Sequence, residues 1–238
     1  MELDNSQLKF LKEFKKETLN FENDFFILTG PAGSGKTEVI KNAVDICKEH
    51  NIGYQCLAFT GRAASVLRNR GLGNTRTIDS WIYQLNKEST FKEKFSDKDS
   101  FIFFIDESSM ISNGAVVFEN KEPELDFKLD EIMWSTYRHI PCKNIFFVFV
   151  GDSNQLPPLK HEYCPALDEN YFIKRYGLRG ASHELSKVHR QNLESEITKV
   201  AKNFMLQNNQ SVKKIPSLRQ IKNEVEVINN NEIIPKFF

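Results

Sequence analysis

The stretch FFILTGPAGSGKTEVI, residues 25–40, constrains this chain more than any other. A short apolar strand, Phe25 to Leu28, empties into Gly30-Pro31-Ala32-Gly33-Ser34-Gly35-Lys36-Thr37, and an amphipathic helix follows. That is G-x-x-x-x-G-K-[ST] in the strand–loop–helix setting that gives the pattern its meaning. Glycines let the backbone curl so that successive N–H groups point inward at a phosphate, and the helix dipole adds partial positive charge. Lys36 is spaced to reach the β- and γ-phosphates, and the Thr37 hydroxyl to ligate Mg2+. The plainer reading is a glycine-rich turn, but strand, loop, Lys-Thr and helix all stand in register. Residues Gly30 to Thr37 are therefore expected to bind a nucleoside triphosphate, ATP, with Mg2+.

At 238 residues the chain can bury a substantial core as one large domain or two small ones. Lys plus Arg (32) equals Asp plus Glu (32), so no global positive field announces a polyanionic partner. Any nucleic-acid site has to be a local groove. Many of the 20 phenylalanines fall in the runs FIFFI and IFFVFV. Those runs are apolar on both faces, as central strands of a helix-covered parallel sheet are. Cys47, Cys56, Cys142 and Cys164 are widely spaced without a C-x-x-C pair, which suits reduced thiols better than a zinc site. No signal peptide and no membrane-length apolar run is seen, so the expectation is a soluble, cytoplasmic protein.

Apolar spacing predicts a helix over residues 4–19, with Asp4 to Ser6 as caps, and another after the phosphate loop to about His50. GYQCLAF reads as a strand ending at Thr60-Gly61, RAASVLRNR as a helix stopped by Gly71-Leu72-Gly73, and TIDSWIYQL as a short helix. Residues 86–100 read as a charged excursion and 112–127 as a loop. SFIFFIDE and NIFFVFVGD are strands, with the helix LDEIMWSTYRHI between them. Beyond Pro158 the pattern predicts a helix near Leu167 to Tyr176, a strand from His183 to Lys187 and a helix from Ser195 to Asn208. Strands alternating with helices make an α/β chain with a parallel sheet. Residues 1–210 are expected to form the domain, with 211–238 as a tail or the start of another.

The strand FIFFI delivers Asp106-Glu107 at its carboxyl end, where ligands sit in open α/β sheets. Asp106 is placed to hold the metal, and Glu107 to orient or deprotonate an attacking water. A later strand ends in Gly151-Asp152-Ser153-Asn154-Gln155, and a glutamine there can sense a γ-phosphate, although G-D-x-x-Q alone equally suits a turn.

The ordered set GPAGSGKT, FTGRAA, TIDSW, DESSM, VGDSNQLPP and ELSKVHRQ resembles motifs I, Ia, Ib, II, III and IV of superfamily 1B helicases of the RecD-like and Dda-like kind. The resemblance spans roughly Gln7 to Gln191. It implies the first RecA-like domain of an ATP-driven motor moving 5′ to 3′ on single-stranded DNA, or at a junction of single and double strand. By that resemblance Gln7 reads adenine, and Gly33, Gly35, Lys36 and Thr37 cradle phosphate. Asp106 and Glu107 serve metal and hydrolysis, Gln155 senses the γ-phosphate, and Arg190 supplies charge to it. Such an arginine is worth about three to five orders of magnitude in rate.

Thr60-Gly61-Arg62 sits at a strand end opening a helix, where N–H groups can hold a backbone phosphate. Motif Ia contacts single-stranded DNA this way in the resembling family, and Thr77 and Ser80 of motif Ib continue the track. A solvated basic helix face, with Arg62, Arg68 and Arg70, is the plainer reading. Trp81 offers a base-stacking platform, but its spacing with Ile78, Ile82 and Leu85 points to core. The family carries histidine where this chain has Asp79, so Asp79 either points away from a phosphate track or that contact is lost.

Motifs V and VI are not found after Gln191, which suggests one RecA-like domain with weak activity alone, completed by a second domain or chain. A nucleotide-switched binding module without unwinding activity is the alternative. A small-molecule kinase is disfavoured, because Glu107 and Gln155 suit water activation.

Overall fold

Phenylalanines and branched side chains alternate between two apolar faces in the central strands, and this seats helices on both sides of one sheet. The fold was obtained as a computed structural model, which describes residues 3–87, 97–116, 124–158 and 161–187. In chain order the elements are α1 (Asn5–Asn20), β1 (Phe25–Thr29), α2 (Lys36–Glu49), β2 (Gly53–Ala58), α3 (Gly61–Asn69), β3 (Thr75–Thr77) and α4 (Ile78–Lys87). They continue as β4 (Ser100–Asp106), β5 (Gly114–Val116), β6 (Glu124–Asp126), α5 (Lys128–His139), β7 (Asn144–Gly151), α6 (Glu169–Tyr176) and β8 (Gly180–Glu184). Short 3-10 turns occupy Ser108–Met110 and Pro165–Leu167.

Six strands form one sheet in the order β3-β2-β4-β7-β1-β8, and every pairing in it is parallel. On one face Phe26, Leu28, Phe104 and Phe146 pack against Phe10 and Phe14 of α1, Val39 and Ile40 of α2, and Leu67 of α3. On the other, Ile27, Phe103, Phe147 and Phe149 meet Trp81 of α4, Ile132 of α5 and Phe172 of α6. Each large apolar side chain so buried contributes about 1.5–3 kcal/mol. Stacking adds to this where rings meet, as between Phe103 and Phe147 with centroids 5.4 Å apart.

Asp4 caps α1, accepting from the Ser6 and Gln7 N–H groups, and Gln7 answers by accepting from the Asp4 N–H. Trp81 is fully buried beside Phe103, so it belongs to the core. Three expectations need correction. Residues 112–127 are not simply a loop, since β5 and β6 pair antiparallel from Gly114↔Asp126 to Val116↔Glu124. Three-residue strands are too short to write an alternation. The last strand lies at Gly180–Glu184 rather than 183–187, in register with β1 from Phe25↔Gly180. Glycine is required there, because a Cβ would stand 2.5 Å from the Phe25 carbonyl. Strand β3 was hidden inside what reads as a turn and a helix start.

The helix expected at 195–208, the tail 211–238 and the boundary at 210 lie outside the described residues, as does most of the excursion at 86–100. Among the described residues no helix is long and apolar enough to cross a membrane.

Candidate functional site

The neighbours β4, β7 and β1 end side by side, so their carboxyl ends bring together three segments far apart in sequence. The Gly30–Thr37 loop leaves β1 and turns into α2 through Gly33 (φ 84°) and Gly35 (φ 85°), conformations that favour glycine. A Cβ on Gly30 would lie 2.7 Å from Ser34 Oγ and 3.0 Å from the Leu185 carbonyl. No side chain caps the N-terminus of α2, where the Glu38 and Val39 N–H groups turn back to the Gly35 carbonyl. Lys36 folds back over the loop, donating to the carbonyls of Gly30 (2.5 Å) and Pro31 (3.1 Å). Ser34 is only 1% exposed, and its Oγ has no hydrogen-bond partner among the described residues. A curled backbone, an uncapped helix N-terminus, an inward ammonium and an orphaned hydroxyl together fit an anionic phosphate group.

Asp106 ends β4, and burial with Glu107 beside it pushes its carboxyl up to about 6. The Glu107 N–H and the charges of Lys36 and Arg70 oppose that shift. A divalent cation at this carboxylate would relieve the same penalty, so the donor chemistry fits Mg2+. Glu107 adopts φ 57°, ψ 37°, a left-handed conformation that costs a non-glycine residue about 1–2 kcal/mol. Backbone strain of this kind concentrates at functional sites.

Sequence reasoning missed Ser109. It is fully buried, and its hydroxyl donates to Gln155 Oε1 at 3.0 Å, while its carbonyl accepts from the Cys164 thiol at 3.2 Å. Gly151 makes room for it, since a Cβ there would sit 3.0 Å from the Ser109 N. Asp152, also buried, accepts from the Asn154 N–H and so shapes the turn that carries Gln155. The serine is visible in DESSM, but nothing in the sequence ties it to a glutamine 46 residues later.

Gln7 is brought against the phosphate loop, donating to the Ser34 carbonyl at 3.0 Å while its oxygen caps α1. Reading adenine would require this amide to exchange one of those partners. Arg190 lies outside the described residues.

The expected nucleic-acid residues collect at the β2–β3 edge. Thr60 caps α3 by accepting from the Ala63 N–H, Arg62 is exposed, and a Cβ added at Gly61 would point into open space. Thr77 accepts from the Ser80 N–H at the start of α4. Asp79 pairs with Lys128 of α5 at 2.9 Å, and Lys128 also holds Glu131.

Residues 2–117 match the family model of the AAA domain. The fold is shared with the Pif1 helicase from Candida albicans at TM-score 0.54 and 22% identity, over 85% of this chain and 44% of that one. The chain has the α/β P-loop fold, with a parallel sheet of RecA-like kind. An uncharacterized protein of Methanocaldococcus jannaschii is 32% identical over 152 residues, 58% of this chain and 12% of that protein. The chain thus spans less than half of either relative's length.

Proposed function

We propose that this domain hydrolyses Mg-ATP to drive movement on single-stranded DNA. The observation that carries the reading is the convergence of Lys36, Asp106, Glu107 and Gln155 at adjacent strand ends, with Gln155 bridged to the Asp106-Glu107 loop through Ser109. Lys36 leaves the Gly30 and Pro31 carbonyls for the β- and γ-phosphate oxygens. Thr37 and Asp106 would hold Mg2+, which when bound would offset part of the phosphate charge. Glu107 accepts a proton from the water that attacks the γ-phosphorus, and ADP leaves with inorganic phosphate as the other product. Gln155 meets the γ-phosphate and reports its presence to the 3-10 turn of Ser108–Met110. Thr60, Gly61, Arg62, Thr77 and Ser80 grip the DNA backbone.

Pif1 is a helicase by its own description, and the resemblance of six ordered motifs to superfamily 1B supports the same class here, including 5′ to 3′ polarity. That resemblance also supports a second RecA-like domain or chain completing the ATP site, with Arg190 contributing charge. The test is steady-state ATPase activity with and without single-stranded DNA, alone and with a second RecA-like domain supplied. Stimulation by DNA is expected. A rate that ignores DNA under every condition removes the motor.

A further inference from the structure

Strand β3 is three residues long and pairs only with Cys56–Ala58 of β2, from Cys56↔Thr75 to Ala58↔Thr77. Among the described residues, the first half of β2 (Gly53–Gln55) therefore has no strand partner on that side. A hollow of about 590 Å³ opens there, lined in part by Lys48, Tyr54, Asn74, Arg76 and Lys98. A second hollow, of about 360 Å³, carries Arg68, Asn74, Arg76, Thr77 and Ser80. The two share Asn74 and Arg76 and so adjoin, making a grooved edge with the expected DNA contacts Thr77 and Ser80 at one end and the start of β2 at the other.

We infer that this groove is an extension of the nucleic-acid track, binding the phosphodiester backbone of a single strand beyond Thr77 and Ser80. The inference rests on the DNA-binding reading above. Lys48, Arg68, Arg76 and Lys98 supply four cations, and no carboxylate belongs to the described lining of either hollow. Lys48 is partly offset by Asp45 at 2.8 Å, whereas Lys98 is steadied by the Asn51 carbonyl and side chain, and Arg68 by the Thr75 carbonyl. The neutral partners of Lys98 and Arg68 orient those two cations without cancelling their charge. In a chain of zero formal net charge, such a concentration is a local field rather than a background.

An extended peptide adding itself to the open edge of β2 is the other occupant such a groove suggests. The edge is already taken. Asn74 Nδ2 donates to the Tyr54 carbonyl at 2.6 Å, and the Gln55 side-chain amide donates to the Asn74 carbonyl at 2.9 Å. A new strand would have to break both bonds, while a polyanion needs neither. Tyr54 adds an aromatic surface beside the cations, on which a base can stack.

The test compares fluorescence anisotropy of short and long oligothymidylates on the wild-type chain and on the double variant Lys48→Ala, Lys98→Ala. Longer strands should bind wild type more tightly, with a steeper salt dependence. The variant should lose that gain, by about tenfold at low salt, and its salt slope should fall by about one for each phosphate contact removed. Its affinity for the short strand and for Mg-ATP should be unchanged, which also reports that it is folded. Equal wild-type affinity for both lengths overturns the extension while leaving the motor reading intact. So does a variant that weakens both lengths equally, or an acidic peptide that fills the groove without displacing the long strand. Failure of every oligothymidylate to bind wild type overturns both.

Discussion

At the carboxyl ends of β1, β4 and β7 the backbone does the selecting, whereas at the β3 edge the side chains do. The first region holds two positive-φ glycines, a strained Glu107, a buried Ser34 and a lysine bound to loop carbonyls. Lys36, Gln7 and Gln155 are already hydrogen-bonded there before any ligand arrives. The second holds exposed arginines, threonines that cap helices, and hollows open to solvent. Preorganisation of that kind suits chemistry, because dipoles aimed at a transition state cost nothing to reorient during reaction. An exposed cationic edge suits a partner that must be gripped and released, since its attraction is long-ranged and screened by salt.

The sharpest way to break the contrast is Glu107→Gln. Turnover should fall by about 10²–10⁴ while Mg-ATP stays bound, as expected for loss of a general base. Undiminished turnover in a steady-state assay removes Glu107 from the chemistry. Lys36→Ala comes next. It deletes a charged partner of the phosphates worth about 1.5–3 kcal/mol, so ATP affinity should drop by roughly 10- to 100-fold in a calorimetric titration. Affinity that stays put contradicts the phosphate cradle.

Ser109→Ala should cost less, about fivefold in kcat with little change in KM, because one hydrogen bond of about 1 kcal/mol to Gln155 is lost. Ser109→Thr keeps the hydroxyl and should recover part of that loss, and a change in KM alone would instead mark Ser109 as packing. Arg62→Ala is the gentlest. It should weaken single-strand binding a few-fold and lower the salt slope by about one, with ATP affinity unaffected. If DNA affinity and its salt dependence do not move, the start of α3 is not a phosphate contact.

The same contrast explains what could be read without coordinates. Gly33, Gly35 and Lys36 were legible because a curled loop demands particular residue types at fixed spacing. The central strands were legible because SFIFFIDE and NIFFVFVGD must be apolar on both faces. Strand β3 and the β5–β6 ribbon were not, because three-residue pairings are set by tertiary neighbours rather than by a local pattern. Nor was the Ser109–Gln155 bond, which exists only because β4 and β7 lie side by side. The groove along β3 was equally invisible, since Lys48 and Lys98 meet Arg76 only after β2 and β3 have paired.

Titration of Mg-ATP into the purified chain by isothermal calorimetry tests the central claim most directly. One saturable site is predicted, lost or severely weakened in Lys36→Ala and retained in Glu107→Gln. No binding to wild type, or binding indifferent to Lys36, contradicts it.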